Sequence, residues 1–153
     1  MYGSSVNETW AEQLDTGTGL IQLMTLVQGI YATVSERHDL TPVQARLLCV
    51  LIGGPRGMAE LAQMFGVEKA ALTGLMDRIE KRGFAERSAV PGDRRAVQVT
   101  LTAAGRRAAS AFHREMGAAL GRLIDPIPAE DREQFRSTVA GIVMRCRTSP
   151  SSE

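Results

Sequence analysis

Ala62, Gly66 and Leu72 constrain the fold of this chain most, because they stand four and six positions apart between two runs of helical periodicity. Two helices joined by a tight turn need a small residue where they cross, a glycine in the turn, and an apolar residue that locks the second helix onto the first. These three residues fill the roles, and Leu61, Phe65, Val67 and Leu75 supply the flanking core. The spacing predicts a short helix over 58–65 closed by Gly66. A second comes next over 69–82, with Leu72, Leu75, Met76 and Ile79 on one stripe and Gly83 at its end. Taken alone, the stretch suits either a helix-turn-helix or a plain helical hairpin.

The residues after Gly83 narrow the choice. The hydrophobic period changes: 84–90 and 96–101 read as strands, and in the second Val97, Val99 and Leu101 alternate with Gln98 and Thr100. Pro91-Gly92-Asp93-Arg94 between them is a turn. A helix-turn-helix succeeded by a hairpin with a basic tip is a winged helix, whose second helix enters the major groove while the wing approaches the minor groove. Net charge adds nothing to this, since the whole chain carries only +1. Its distribution does: residues 77–107 hold eight bases against four acids, whereas 1–40 hold one base against five acids. Basic residues concentrated on the two groove-facing elements fit binding driven by counterion release; a solvated basic face is the plain alternative.

The flanks are helical. At 153 residues the chain suits one domain with its own core. Leu20, Leu23, Met24, Val27, Tyr31 and Val34 keep helical spacing, and Ile21, Leu26 and Ile30 widen the face until it nearly encircles the helix, which points to burial from more than one side by a partner subunit. Thr41-Pro42-Val43-Gln44 is a capping box that starts a helix running to Gly53-Gly54-Pro55. Thr102 caps a long helix through about residue 124, Pro126 and Pro128 break it, and Phe135, Val139, Ile142 and Cys146 mark the last one. Residues 1 to about 16, with Trp10 and Leu14, read as a loose arm or a short docking turn, and the tail from 148 as frayed. The fold class is mainly α with a small β-hairpin wing: one winged-helix chain over 1–153, its lobe at 42–101.

Arg78-Ile79-Glu80-Lys81-Arg82-Gly83-Phe84, Asp93-Arg94-Arg95, and Val99-Thr100-Leu101-Thr102 with Gly105 together resemble the MarR family of bacterial transcriptional regulators, over residues 20–146. The resemblance implies a homodimer whose first and last helices interlock, which makes 16–38 and 103–148 dimerisation helices. It also implies a pseudo-palindromic operator, repression more often than activation, and release by a small ligand or an oxidant. Two positions depart from the pattern: Arg56-Gly57-Met58 lacks the usual Ser or Thr cap, and Glu68 replaces a small polar residue.

Helix-turn-helix geometry points Glu68, Lys69, Ala70, Thr73, Gly74 and Asp77 toward the groove. Lys69 suits a guanine edge, Thr73 a base edge or phosphate, and Ala70 a thymine methyl. Gly74 weakens a helix, so it marks either close approach to DNA or a crowded contact inside the domain. Arg94 at the tip suits minor-groove insertion. Arg95 is expected to brace the wing through Asp93 or Asp77, and Arg78 and Arg87 to clamp phosphates if they are more than surface bases. The family's effector pocket, for a small aromatic or lipophilic ligand, draws on Met24, Tyr31, His38, Arg46, Phe112 and His113, each equally at home in packing.

Other chemistries find little support. Cys49 and Cys146 form no CxxC pair, which argues against a disulfide framework or a zinc site; Cys49 reads as a buried thiol, and no metal or cofactor is expected. Neither histidine sits in a catalytic motif, and residues 17–22 lack the third glycine of a dinucleotide loop, so an enzyme is not expected. A winged helix that binds only protein is the remaining alternative. The start MYGSSVNETW carries no export signal and no run spans a membrane, so a cytoplasmic protein is expected.

Overall fold

The computed structural model describes residues 14–148. The arm with Trp10 and most of the tail lie outside them. Helix α1, Thr16–Arg37, opens on Asp15, whose carboxylate accepts the Thr18 amide at 3.1 Å and its hydroxyl at 2.6 Å. Helix α2, Pro42–Ile52, opens on the capping box: Gln44 N–H donates to Thr41 Oγ1 at 3.3 Å, and Thr41 N–H donates to Gln44 Oε1 at 3.0 Å. Then come β1 (Arg56–Gly57), α3 (Met58–Phe65), α4 (Lys69–Lys81), β2 (Ala85–Val90), β3 (Asp93–Leu101), α5 (Ala103–Leu123) and α6 (Arg132–Thr148).

The chain is mainly helical, with one antiparallel sheet in the order β1-β3-β2. Strand β1 is not foreseen by the sequence pattern. Two residues are too few to show alternation, and only its pairing of Arg56 with Val99 and Gly57 with Gln98 defines it. That pairing also resolves the missing cap. Gly57 precedes α3 without a side-chain bond, and the sheet holds the helix entrance instead, aided by Arg56 Nη1 on Glu60 Oε1 at 3.0 Å.

The helix-turn-helix closes as its spacing requires. Gly66 is left-handed at φ 61°, and the Val67 amide donates back to the Ala62 carbonyl at 3.1 Å, capping α3. Leu61, Leu72, Met76, Ile79 and Val99 are fully buried with Leu47 and Leu48, each contributing about 1.5–3 kcal/mol of transfer free energy.

Thr102 and Gly105 fasten the far end of this lobe. Thr102 Oγ1 donates to the Gly83 carbonyl at 2.5 Å and accepts the Gly105 amide at 3.0 Å, while Thr102 N–H donates to the Phe84 carbonyl at 3.1 Å. A Cβ on Gly105 would stand 1.7 Å from the Phe84 oxygen. No other residue fits there.

Backbone packing divides the chain into two compact units, to Ala118 and from Ala119 onward, with the boundary inside α5. The first holds α1 to β3 and most of α5; Val34 and Phe112 are buried in it. The second holds the end of α5 and α6, on which Phe135, Val139, Ile142 and Val143 are all exposed. Among the described residues no helix is long and apolar enough to cross a membrane.

Candidate nucleic-acid interface

Helix α4 buries one stripe, Leu72, Leu75, Met76 and Ile79, and turns the other outward. Lys69, Ala70, Asp77 and Arg78 are exposed, and Thr73 and Gly74 partly so. The Thr73 hydroxyl donates to the Lys69 carbonyl at 2.9 Å. Space around Gly74 is open, with nothing within 4 Å of where a Cβ would stand, so no crowded internal contact explains this glycine. Glu68 occupies the N-cap but its side chain accepts no bond from the helix amides, which leaves the positive end of α4 without a side-chain cap.

The wing is longer than its sequence pattern indicates, since β3 starts at Asp93 rather than at 96. Its register is irregular at the tip. Ala89 pairs with Val97 but Val90 pairs with Asp93, so Arg94, Arg95 and Ala96 bulge from the ladder. A bulge re-aims the side chains it carries. Both arginines are exposed.

Two expectations about the wing need correction. Arg87 is engaged by carboxylates rather than held open for phosphate. Its amide donates to Glu80 Oε1 at 2.7 Å, its Nε and Nη2 to Glu80 Oε2 at 3.1 and 2.6 Å, and Nη2 also to Asp77 Oδ1 at 2.6 Å. Nor does Arg95 brace the wing: Asp93 Oδ1 accepts the Arg95 backbone amide at 3.0 Å, and Asp77 is taken by Arg87. The Arg87 hydrogen bonds hold the Glu80 carboxyl below its ordinary range, and Glu80 first, then Asp77, raises Arg87. Sequence reasoning missed Glu80. Its signal was two acids three apart on one helix face, with an arginine on the returning strand, but the meeting depends on the turn at Gly83.

The residues expected around an effector separate into two groups. Tyr31 and His38 both stand edge-on to Phe112, at 5.2 and 5.8 Å between ring centroids. His38 Nε2 is 2.7 Å from Glu115 Oε2, and Arg37 Nη1 donates to Glu115 Oε1 at 2.9 Å; Arg37 first, then His38, lowers the Glu115 carboxyl. Burial pushes the Tyr31 phenol up to about 12 and the half-buried Cys49 thiol above its usual value, away from the reactive thiolate. Arg46 is drawn elsewhere: its guanidinium lies 4.5 Å over the Phe65 ring and donates to the Met64 carbonyl at 2.9 Å. Met24 and His113 are exposed, outside the aromatic cluster.

Comparison with known proteins agrees with this architecture. Residues 38–96 match the MarR family profile. The transcriptional repressor NicR of Pseudomonas putida is 40% identical over 68 residues, 44% of this chain; the chain spans less than half, 43%, of NicR's length. Apo MarR of Escherichia coli superposes with a TM-score of 0.73 at 22% identity, over 84% of this chain and 96% of that one. The repressor CouR, solved on a 23-mer DNA duplex, superposes at 0.70 with 25% identity over 88% and 95% of the two chains. CouR of Rhodococcus jostii has also been solved with p-coumaroyl-CoA, at a TM-score of 0.69 and 23% identity, over 91% and 96%. With the matched span lying across the helix-turn-helix and the wing, this chain belongs to the MarR family.

Proposed function

We propose that this chain is a sequence-specific DNA-binding transcriptional regulator: a ligand-responsive repressor that grips a pseudo-palindromic operator as a homodimer in the cytoplasm. One observation carries the reading. The outward stripe of α4 is open and free of internal packing at Gly74, and it shares the lobe with a wing whose tip presents two exposed arginines. Lys69, Ala70, Thr73 and Gly74 would read or approach bases, Arg78 would hold phosphate, and Arg94 would enter the minor groove. NicR's name as a repressor and CouR's DNA complex support the assignment. In this reading the lobe at 42–101 holds DNA and no catalytic step is needed.

Homodimerisation through 16–38 and 103–148 is supported by apolar side chains left in the open. Ile21 is 62% exposed and Ile142 56%, a state that aqueous solution disfavours when such residues cluster. An effector of aromatic or lipophilic character would seat near Tyr31, His38 and Phe112.

Fluorescence anisotropy with duplexes taken from beside the protein's own gene tests the DNA reading. Binding should weaken steeply with salt, and both Lys69→Ala and Arg94→Ala should reduce it. A folded wild-type protein with no salt-dependent affinity for any of these duplexes, or for genomic fragments at large, would overturn it. A thermal-shift screen with small aromatic acids tests the effector, since a ligand of the folded state raises Tm.

A further inference from the structure

The outer wing has little of the sheet to hold it. Strand β1 supports β3 only at Gln98 and Val99; beyond them the hairpin is two strands, and two strands alone are marginal in water. Arg87 lies opposite Val99, at the base of this unsupported part. From there it reaches back to α4 with four hydrogen bonds to Glu80 and Asp77, all between 2.6 and 3.1 Å. Arg87 and Glu80 are under a third exposed, at 29% and 27%. One guanidinium between two carboxylates is a net negative cluster and repels a phosphate. Arg95 is the reverse case. Among the described residues its guanidinium has no hydrogen bond or ion pair, because Asp93 is occupied by the Arg95 backbone amide.

We propose that Arg87 is a positioning residue that fixes the wing to α4 through Glu80 and Asp77, and that Arg95 is thereby left to contact DNA beside Arg94. The two arginines exchange the roles that their places in the sequence indicate. The role of Arg95 rests on the proposed DNA-binding function; the clamp itself does not depend on it. Glu80 then acts on DNA binding only through Arg87: it sets the angle at which the wing leaves the recognition helix, and so which phosphates and groove edges both elements can reach together.

Salt titrations of duplex affinity for wild type, Arg87→Ala, Glu80→Gln, Arg95→Ala and the Arg87→Ala/Glu80→Gln double variant separate the roles. Arg95→Ala should flatten the plot of log K against log salt by about 0.9, the signature of one lost phosphate contact. Arg87→Ala and Glu80→Gln should each weaken binding roughly threefold or more with the slope kept, and the double variant should be no weaker than Arg87→Ala alone. The sign for Glu80→Gln is decisive: an Arg87 that contacted phosphate would be released by this change, tightening binding and steepening the slope. That outcome, or a flattened slope in Arg87→Ala with none in Arg95→Ala, overturns the proposal.

Hydrogen exchange on the free protein gives an arm independent of DNA. Amides of residues 88–97 should exchange faster in Arg87→Ala and Glu80→Gln than in wild type, and unchanged rates would overturn the clamp. If exchange quickens but the wild type has no duplex affinity, the clamp holds, and the DNA reading falls together with the role given to Arg95.

Discussion

The winged-helix lobe and the terminal helices are built from similar apolar residues and treat them in opposite ways. In the lobe Leu47, Leu48, Leu61, Leu72, Met76, Ile79 and Val99 are withdrawn from water completely. On α1 and α6, Leu20, Ile21, Leu26, Ile142 and Val143 each keep about half or more of their surface in it. The lobe is therefore complete as a single subunit, held by its own glycines, caps and clamps. The terminal helices present faces that one chain leaves uncovered, and in the proposed dimer a second copy covers them. Function divides along the same line, with recognition in the finished part and assembly in the unfinished one.

Substitutions that respect or violate this division should differ sharply. The largest effect is expected at Gly105. Any side chain there meets the Phe84 backbone, which cannot yield as a flexible side chain would, so Gly105→Ala should cost about 3 kcal/mol or more and unfold part of the population; denaturant titration reads it. Ile21→Ser should behave differently. With 62% of its surface exposed in one subunit, the change should leave monomer stability within about 0.5 kcal/mol while lowering the concentration-dependent Tm of the dimer. Sedimentation velocity would show the shift to monomer, and an unchanged dimer would remove α1 from the interface.

Gly74 sharpens the contrast within the lobe. Gly74→Ala should stabilise α4 by roughly 0.5–1 kcal/mol, because the helix gains propensity and nothing crowds the new methyl. Duplex affinity should nonetheless fall, which chemical denaturation and anisotropy would show as opposite signs. The smallest effect is electrostatic. Glu80 has a folded pKa below its ordinary 4.5, so the stability from its ionisation is fully present above 4.5 and is lost as pH falls through the lowered value. The Tm advantage of wild type over Glu80→Gln should hold at neutral pH and vanish in acid.

Much of the lobe was legible in the sequence because its signals are local. Thr41, Pro42 and Gln44 cap α2 within four residues, and Gly66 announces its turn by its own backbone freedom. Thr102 and Gly105 carried the family's signature, and packing against Gly83 and Phe84 explains why both are needed. The hidden features depend on distance through the fold. Strand β1 exists only because β3 passes beside it, and the Arg87 clamp requires the chain to reverse at Gly83 before its partners meet. The same limit explains Arg46, Met24 and His113. Their residue types suited a pocket, but Arg46 finds Phe65 and the other two face solvent.

Hydrogen exchange on the protein with and without a bound duplex tests most directly whether α4 and the wing grip DNA together. Protection is expected in two separate stretches, the first turns of α4 around 69–74 and the wing tip around 92–97. Protection confined to α5 or α6, or a complex that leaves both stretches as exposed as before, would contradict it.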